Sequence, residues 1–343
     1  MDVRELAAQV RLGRPRAVAR LISLVENAAE NIAENIAENA TGNAAGPGGG
    51  GGAEAGGTNH VLREVMADLA TGAVRPYTAR VIGLTGAPGV GKSTSTGMLI
   101  RAFRRRGSRV GVLAVDPSSP FTGGALLGDR VRMQEHATDP EVFIRSMSSR
   151  GHLGGLAWAT PQALRVLEAA GCEVILVETV GVGQAEVDIA RLADTTVVIL
   201  APGMGDGVQA AKAGILEVAD VLVVNKADRD GVQATVRELR NMTGLAEPPW
   251  RPPIVTTVAS REEGADDLMA VLDKHQAYLE ESDEGRRRRL ARARDEIEAI
   301  ALARLRSRFA GLHGGRLDAL AARLLDAGTD PYTAADDLIA ALH

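Results

Sequence analysis

The sequence predicts an α/β protein with a mostly parallel, doubly wound sheet. Short, nearly continuous apolar runs recur through the middle of the chain, as is typical of strands buried on both faces. Helical segments separate these runs, and this alternation predicts parallel strands with helices on both sides. A glycine-rich turn joins the first run to its helix, which predicts a ligand site at the carboxyl ends of the strands. The predicted strands are 81–85, 110–115, 142–145, 174–178, 196–201, 221–225 and 254–257.

Helices are predicted between these strands, and further helices at both ends of the chain. We expect three parts: a helical subdomain over 1–80, an α/β domain over 81–275 and a helical arm over 276–343. The helices predicted inside the α/β domain are 92–106, 161–170, 208–218 and 231–241.

The first part contains a low-complexity insert. Apolar residues recur at helical spacing before residue 26, and Gly13-Arg14-Pro15 divides them into two helices. The insert spans 26–58, and its repeated Asn-Ile-Ala-Glu tetrads are able to extend the second helix. The run Gly48–Gly52 has no side chains to bury and is predicted to be a flexible linker. A helix is expected to resume over 60–70.

The last part carries a basic run and an apolar stripe. The run Arg286–Arg289 is expected to form the solvated face of a long helix or, alternatively, a contact surface for a partner. The stripe has more leucine than an isolated tail needs, so it suggests a surface for a second copy of the chain. Its members are Leu302, Leu305, Phe309, Leu312, Leu317, Leu320 and Leu324.

Composition excludes several classes of protein. The 343 residues are 45% apolar and 24% charged, within the ordinary globular range. The net charge of -5 argues against a protein that coats nucleic acid. The single cysteine cannot form an intrachain disulfide framework. No apolar run approaches the roughly 20 residues of a membrane span, and no signal-peptide core is evident. We therefore expect a cytoplasmic protein that binds neither nucleic acid nor membrane.

The glycine-rich turn fits the pattern G-x-x-x-x-G-K-S of the phosphate-binding loop in P-loop NTPases. It begins at Gly86, after the first predicted strand, and ends with Lys92 and Ser93 at the start of a helix. Its backbone N–H groups are expected to bind phosphate at the positive end of that helix. Lys92 would contact the β and γ phosphates, and the Ser93 hydroxyl would bind Mg²⁺.

A second motif indicates guanine. Asn225-Lys226-Ala227-Asp228 follows a predicted strand and fits N-K-x-D, the base-reading element of GTPases. The Asp228 carboxylate is able to accept hydrogen bonds from guanine N1–H and the exocyclic amine, and adenine presents the wrong edge. An unmatched buried polar group makes such discrimination strong. The sequence therefore favours GTP and GDP over ATP.

Three carboxylates are candidates for work near the phosphates. Glu178 ends a strand in Glu-Thr-Val-Gly, where GTPases usually have D-x-x-G, and the Gly181 N–H is expected to sense the γ-phosphate. Asp116 follows another strand, and Asp129 lies in the glycine- and serine-rich loop after it. Mg²⁺ is expected to be bound by Ser93 with some of these carboxylates, and catalytic roles are expected for Lys92, Asp116 and Glu178. Their individual roles stay open.

Longer segments around these motifs resemble the MeaB/ArgK family. The resemblance rests on Asp116-Pro-Ser-Ser, Gly-Gly-Ala-Leu-Leu-Gly-Asp-Arg-Val-Arg-Met133, Glu178-Thr-Val-Gly-Val-Gly-Gln184 and the N-K-x-D motif. It extends from the N-terminal helices to the C-terminal arm and leaves out only 26–58. It implies a GTPase that acts as a chaperone for adenosylcobalamin-dependent methylmalonyl-CoA mutase and forms a homodimer through the arm.

The resemblance also assigns site residues. Asn225, Lys226 and Asp228 would hold the guanine, and the loop Val258-Ala259-Ser260 would contact the base largely through backbone N–H groups. Segments 116–133, 178–186 and 203–212 would be switch loops that the mutase reads. The phosphates would be held by Gly86, Ala87, Pro88, Gly89, Val90, Gly91, Lys92, Ser93 and Thr94.

The leading hypothesis is a GTPase that gates cobalamin delivery to the mutase and protects it. Its hydrolysis is expected to be slow without the partner, because no in-line glutamine or arginine finger is identifiable. A metallochaperone GTPase is one alternative, and it would need Cys or His clusters with metal-ligand spacing. A transport-associated kinase for a small molecule or protein is the other, and it would need an acceptor pocket and a base.

Overall fold

The computed structural model describes most of the chain, with gaps in several loops. Within the described ranges, strands interspersed with helices occupy residues 80–257, and helices follow from residue 265, as the sequence predicts. The described residues are 3–40, 51–72, 79–116, 136, 138–148, 159–179, 185–203, 217–244, 249–310, 316–326 and 328–340.

Seven strands form one sheet in which all neighbouring strands are parallel. Their order is β3-β2-β4-β1-β5-β6-β7, so β1 lies in the middle, between β4 and β5. This confirms the predicted doubly wound α/β fold. The strands are β1 (Arg80–Thr85), β2 (Val110–Asp116), β3 (Val142–Ser148), β4 (Val174–Glu178), β5 (Thr195–Leu200), β6 (Val221–Asn225) and β7 (Ile254–Thr257).

The sheet is buried on both faces because successive residues of its strands enter different cores. In β5, Val197 and Ile199 belong to one buried cluster, with Met98 and Leu272. Val198 and Leu200 belong to another cluster on the other side, with Leu239. This arrangement explains why β5 and β6 read as continuous apolar runs rather than as alternating ones.

The helices between and after the strands are largely those predicted. The predicted helix 208–218 lies mainly outside the described residues. Those observed are α4 (Lys92–Arg105), α5 (Thr160–Ala169), α6 (Ala185–Leu192), α7 (Val232–Thr243), α8 (Ala265–Glu281), α9 (Glu284–Ala310), α10 (Asp318–Leu325) and α11 (Pro331–Ala340).

The N-terminal helices are α1 (Val3–Arg11), α2 (Pro15–Ala40) and α3 (Gly51–Gly72). The predicted break lies at Gly13, whose φ of 65° is left-handed. The flexible-linker prediction for Gly48–Gly52 is wrong at Gly51 and Gly52, which begin α3. Glycine costs little at a helix start, where the first N–H groups have no intrahelical partner, and the following Ala-Glu-Ala favours helix. Residues 48–50 lie outside the described residues.

The basic run of α9 is only partly a solvated face. Arg288 forms two hydrogen bonds with Asp220, at 2.8 and 2.9 Å, and Asp220 immediately precedes β6. Arg292 donates to the carbonyl of Leu192 at 2.6 Å. Arg286 and Arg287 are exposed. The first turns of α9 are thus bound to the amino-terminal edge of the sheet, opposite the edge where the strands end.

The chain divides into two compact units. One comprises residues 1–26 and 64–292 and contains the whole sheet; the other comprises 27–63 and 293–343. The three-part division at residues 80 and 275 stays a prediction. In the described part of the chain, no helix combines the length and the hydrophobicity that a transmembrane helix needs.

Candidate nucleotide-binding site

The loop between β1 and α4 has no space for a Cβ at two of its glycines. Gly86 has a φ of 143°, and a Cβ there would lie 2.1 Å from the Ile199 carbonyl oxygen of β5. Gly91 has a φ of 99°, and a Cβ there would lie 2.4 Å from the Asn225 side-chain nitrogen. The loop therefore contacts β5 on one side and the predicted base-reading motif on the other, with no room for side chains.

Two lysine ammonium groups hold the carbonyls of this loop. Lys92 Nζ donates to the carbonyls of Gly86 at 2.9 Å and Ala87 at 3.2 Å. Lys226 Nζ donates to the carbonyl of Gly89 at 2.5 Å. The backbone of Lys226 is left-handed, with a φ of 58°, which is uncommon for a residue other than glycine. The phosphate loop is therefore bound by the lysines of both sequence motifs.

Glu178 lies beside the first turns of α4. Ser93 Oγ donates to Glu178 Oε1 at 2.6 Å, and Thr96 Oγ1 donates to Glu178 Oε2 at 2.8 Å. The Glu178 side chain is buried, as is that of Thr96. Hydroxyl and carboxylate oxygens are hard donors of the kind that Mg²⁺ prefers. The pair formed by Ser93 and Glu178 therefore fits the predicted metal-binding role.

Asn225 joins three segments of the site. Its Nδ2 donates to the Val90 carbonyl at 2.8 Å, and its Oδ1 accepts from Thr257 Oγ1 and the Ala259 N–H, both at 3.1 Å. Only 3% of Asn225 is exposed. Because it bridges the phosphate loop and the loop after β7, Asn225 fixes the position of one against the other.

The remaining predicted base contacts lie in that same region. Asp228 is half exposed, and its Oδ2 lies 3.1 Å from Arg261 Nη2. Val258 and Ala259 are buried, whereas Ser260 is exposed. A short 3-10 turn, Ala259–Arg261, follows Val258. The structure thus brings Asp228 and the loop 258–260 to the same edge of the sheet as the phosphate loop, and their contacts with a base stay predictions.

Several predicted site residues are not described. Asp129 and Gly181 lie outside the described residues, as do most of the three predicted switch loops. Asp116 ends β2, adjacent to β4, but its side chain is not described. In the described ranges, no group of three or more His, Cys, Asp or Glu side chains is placed to hold a metal ion. The roles of Asp116 and Asp129 stay predictions.

Sequence reasoning missed Thr96, Thr257 and Arg261. Thr96 lies three residues after Ser93, a spacing that places both hydroxyls on one helix face. The sequence alone could therefore have indicated that Thr96 lies beside Ser93. Thr257 is the last residue of β7, but its hydrogen bond to Asn225 depends on strands being neighbours in the sheet. Arg261 carries no motif, and its contact with Asp228 follows only from the fold.

Comparisons with a family model and with named proteins find several relatives of the chain. The family model described as "Methylmalonyl Co-A mutase-associated GTPase MeaB" matches residues 53–313, so the match begins inside the 26–58 segment. A Pyrococcus abyssi protein named as a GTPase is 43% identical over 98% of this chain and 95% of its own length. The Escherichia coli GTPase ArgK is 39% identical over 63% of this chain and 68% of its own length.

Two further similarities concern a mammalian protein and a solved fold. The mouse protein named methylmalonic aciduria type A homolog, mitochondrial, is 38% identical over 60% of this chain and 51% of its own length. The crystal structure titled "LAO/AO transport system kinase" has a TM-score of 0.66 and 21% identity, and the match covers 98% of this chain and 96% of that one. At that identity the structure supports the fold alone.

Together, the phosphate loop, the parallel sheet and the named relatives establish a GTPase that binds guanine nucleotide. The matched family model covers most of the chain, including every strand and the predicted base-reading motif. The chain therefore belongs to the MeaB family of methylmalonyl-CoA mutase-associated GTPases.

Proposed function

We propose that this GTPase gates the delivery of adenosylcobalamin to methylmalonyl-CoA mutase and protects that enzyme. The family is associated with the mutase by name, and a relative is named for methylmalonic aciduria. The observation that supports the proposal is the position of the strands that precede the predicted switch segments. They follow β2, β4 and β5, whose carboxyl ends lie at the edge of the sheet that holds the phosphate loop. A change at the γ-phosphate would therefore occur at the edge of the sheet from which all three segments start.

In this proposal, each contact described above has a task during the nucleotide cycle. When the nucleotide binds, the Lys92 ammonium group leaves the carbonyls of Gly86 and Ala87 and donates to the β and γ phosphates instead. Lys226 keeps the loop in shape through Gly89, and Asp228 selects guanine. Catalysis then depends mainly on positioning and on electrostatic stabilisation of the transferred phosphoryl group.

Mg²⁺ would be held by Ser93 and Glu178, with Asp116 and Asp129 as further candidates. When bound, Mg²⁺ would neutralise charge that develops on the β and γ phosphate oxygens. The hydroxyl of Thr96 would keep Glu178 oriented toward Ser93, because it binds the second carboxylate oxygen. Intrinsic hydrolysis is expected to be slow, below the roughly 1–100 s⁻¹ typical of kinases.

The test compares GTP hydrolysis by the purified protein with and without methylmalonyl-CoA mutase. We expect guanine-selective binding in titrations with GTP, GDP and ATP, and faster GTP turnover when the mutase is present. Asp228→Ala should lose the preference for guanine over adenine. Guanine-selective turnover that does not respond to the mutase would contradict the proposed client while leaving the GTPase activity intact.

We also propose a homodimer formed through the C-terminal helices. Several apolar side chains of α9, α10 and α11 are exposed: Ile297, Leu302, Leu305, Leu324, Leu325, Tyr332 and Ile339. A surface built from such side chains would be a candidate protein interaction site. The double variant Ile297→Asp/Leu325→Asp should therefore be monomeric by light scattering. Leu12→Asp, at an exposed leucine near α1, is the matched control and should stay dimeric. A dimeric double variant would refute this interface.

A further inference from the structure

Arg261 lies between two carboxylates at the predicted base site. Its Nη2 is 3.1 Å from Asp228 Oδ2, and its Nε is 3.2 Å from Glu263 Oε1. We propose that Arg261 competes with the guanine base for Asp228 and so lowers the affinity for guanine nucleotides. This inference rests on the proposed role of Asp228 as the base-reading carboxylate.

The competition follows from the similar chemistry of the two donors. A guanidinium group is planar and presents parallel N–H donors to a carboxylate. The edge of guanine that carries N1–H and the amine is planar too and presents its donors in the same way. The guanidinium contact is at Oδ2, one of the two oxygens that guanine would need. The base must therefore displace Arg261 or share an oxygen whose charge is already partly neutralised.

Glu263 gives Arg261 a second partner when the base binds. Its contact is with Nε, so it remains possible after Nη2 leaves Asp228. The neighbouring Glu262 is already paired with Arg101 at 2.5 Å and Arg105 at 2.7 Å. These arginines lower the pKa of Glu262, chiefly through the hydrogen bond from Arg105. The Glu262 carboxylate therefore stays ionised and paired with Arg101 and Arg105. The exchange of Arg261 is thus between Asp228 and Glu263.

The exchange requires only side-chain movement. Arg261 is the last residue of the 3-10 turn, and the Val258 N–H donates to the Glu263 carbonyl at 3.0 Å across the loop. Ala259, at the start of the turn, is bound to Asn225. The backbone is therefore held at both ends of the loop. The three side chains in the exchange are about half exposed, which leaves the guanidinium room to rotate.

The expected effect is modest, because exposed ion pairs are weak and are screened by salt. Loss of the pair between Arg261 and Asp228 corresponds to about a two- to fivefold change in affinity. The experiment measures binding of a fluorescent GDP analogue to the full-length protein at low and at high salt. The variants are Arg261→Ala, Glu263→Gln and the double variant.

We expect Arg261→Ala to bind GDP more tightly than the wild type at low salt, with a smaller difference at high salt. Glu263→Gln should bind GDP more weakly, because Arg261 then has only Asp228 as an acidic partner. The double variant should match Arg261→Ala. Arg237→Ala, at an exposed arginine of α7, controls for the loss of one positive charge and should not tighten binding.

Two results would overturn the inference. One is weaker GDP binding by Arg261→Ala, which would mean that Arg261 supports the base. The other is an effect of Glu263→Gln that persists when Arg261 is absent. Failure of the proposed base assignment has a different signature: Asp228→Ala would keep its preference for guanine over adenine nucleotides.

Discussion

Removal of the Asp220 carboxylate should destabilise the sheet-containing unit strongly. Asp220 accepts from the Thr196 N–H at 2.8 Å and from Arg288 at 2.8 and 2.9 Å, and its Oδ1 lies 3.3 Å from His275 Nε2. Its side chain is 7% exposed, that of Arg288 is 28% exposed and His275 is fully buried. In Asp220→Ala, the guanidinium and the imidazole would lose this acceptor in a largely buried setting.

The magnitude follows from this burial. Removing one partner of a buried ion pair costs about 3–5 kcal/mol. Because Arg288 retains some contact with water, we place the loss at the lower end, about 3 kcal/mol. For a unit of this size, that corresponds to a fall in Tm of about 6–12 °C.

The pH dependence has a defined sign. Burial alone would raise the pKa of Asp220, but hydrogen bonds from His275 and Arg288 outweigh it and hold the pKa below its usual value. A carboxylate with a lowered pKa in the folded state stabilises the protein above its unfolded pKa. That contribution is lost as the pH falls through the folded value. The difference in free energy of unfolding between wild type and Asp220→Ala should therefore be largest at neutral pH and should shrink below about pH 4.

The assay is thermal and urea unfolding of both proteins, with Arg106→Ala as the control for an exposed pair. Arg106 pairs with Asp273 at 2.7 Å, and the two side chains are 47% and 46% exposed. Exposed pairs contribute about 0–1 kcal/mol, so the control should lose little stability. Equal losses for Asp220→Ala and Arg106→Ala would refute the reasoning that burial determines the cost.

Three further changes test the site and the opposite edge of the sheet. Gly86→Ala should abolish binding of a fluorescent GDP analogue and cost at least about 3 kcal/mol in urea unfolding, because its Cβ would clash with the Ile199 carbonyl; normal binding would contradict this. Asn225→Ala should cost about 1–3 kcal/mol and weaken GDP binding, since three hydrogen bonds are lost; unchanged unfolding midpoints would show that the bridge is dispensable. Burial raises the pKa of Glu168 to about 7, against the opposing effect of nearby arginines. A raised carboxylate pKa makes the folded state less stable as the pH rises from about 4.5 through about 7. Glu168→Gln should remove that slope and be about 3 kcal/mol more stable than wild type at pH 8, as read from unfolding curves across this range; a slope that persists in the variant would exclude Glu168 as its source.

The sheet and the order of its motifs were predictable because the signals are local. Strands such as β4 and β6 are buried on both faces and are apolar except at their last residues, Glu178 and Asn225. The strand, glycine loop and helix around Gly86 and Lys92 follow one another directly in the chain. For the same reason, Glu178 and Asn225 could be placed at the carboxyl ends of strands before any contact was known.

The contacts that connect distant segments were not predictable. Arg288 and Asp220 are far apart in sequence, and nothing in the basic run distinguishes Arg288, which is bound, from Arg287, which is exposed. Which arginine of the run binds Asp220 depends on which side of α9 faces the sheet, and tertiary packing alone determines that side. The pairing of Arg261 with Asp228 is unpredictable for the same reason.

The neighbouring residues Asn225 and Asp228 differ in how freely they can be changed. Asn225 is buried and bound to three other groups, so a substitution there disturbs the phosphate loop as well. Asp228 is half exposed, and the ion pair shown for its carboxylate is with the exposed Arg261. Under the proposed assignment, Asp228→Asn would exchange an acceptor for an amide donor suited to the 2-oxo group of xanthine. Such a variant would respond to an added xanthine nucleotide amid cellular GTP, which would allow this one GTPase to be controlled separately in a living cell.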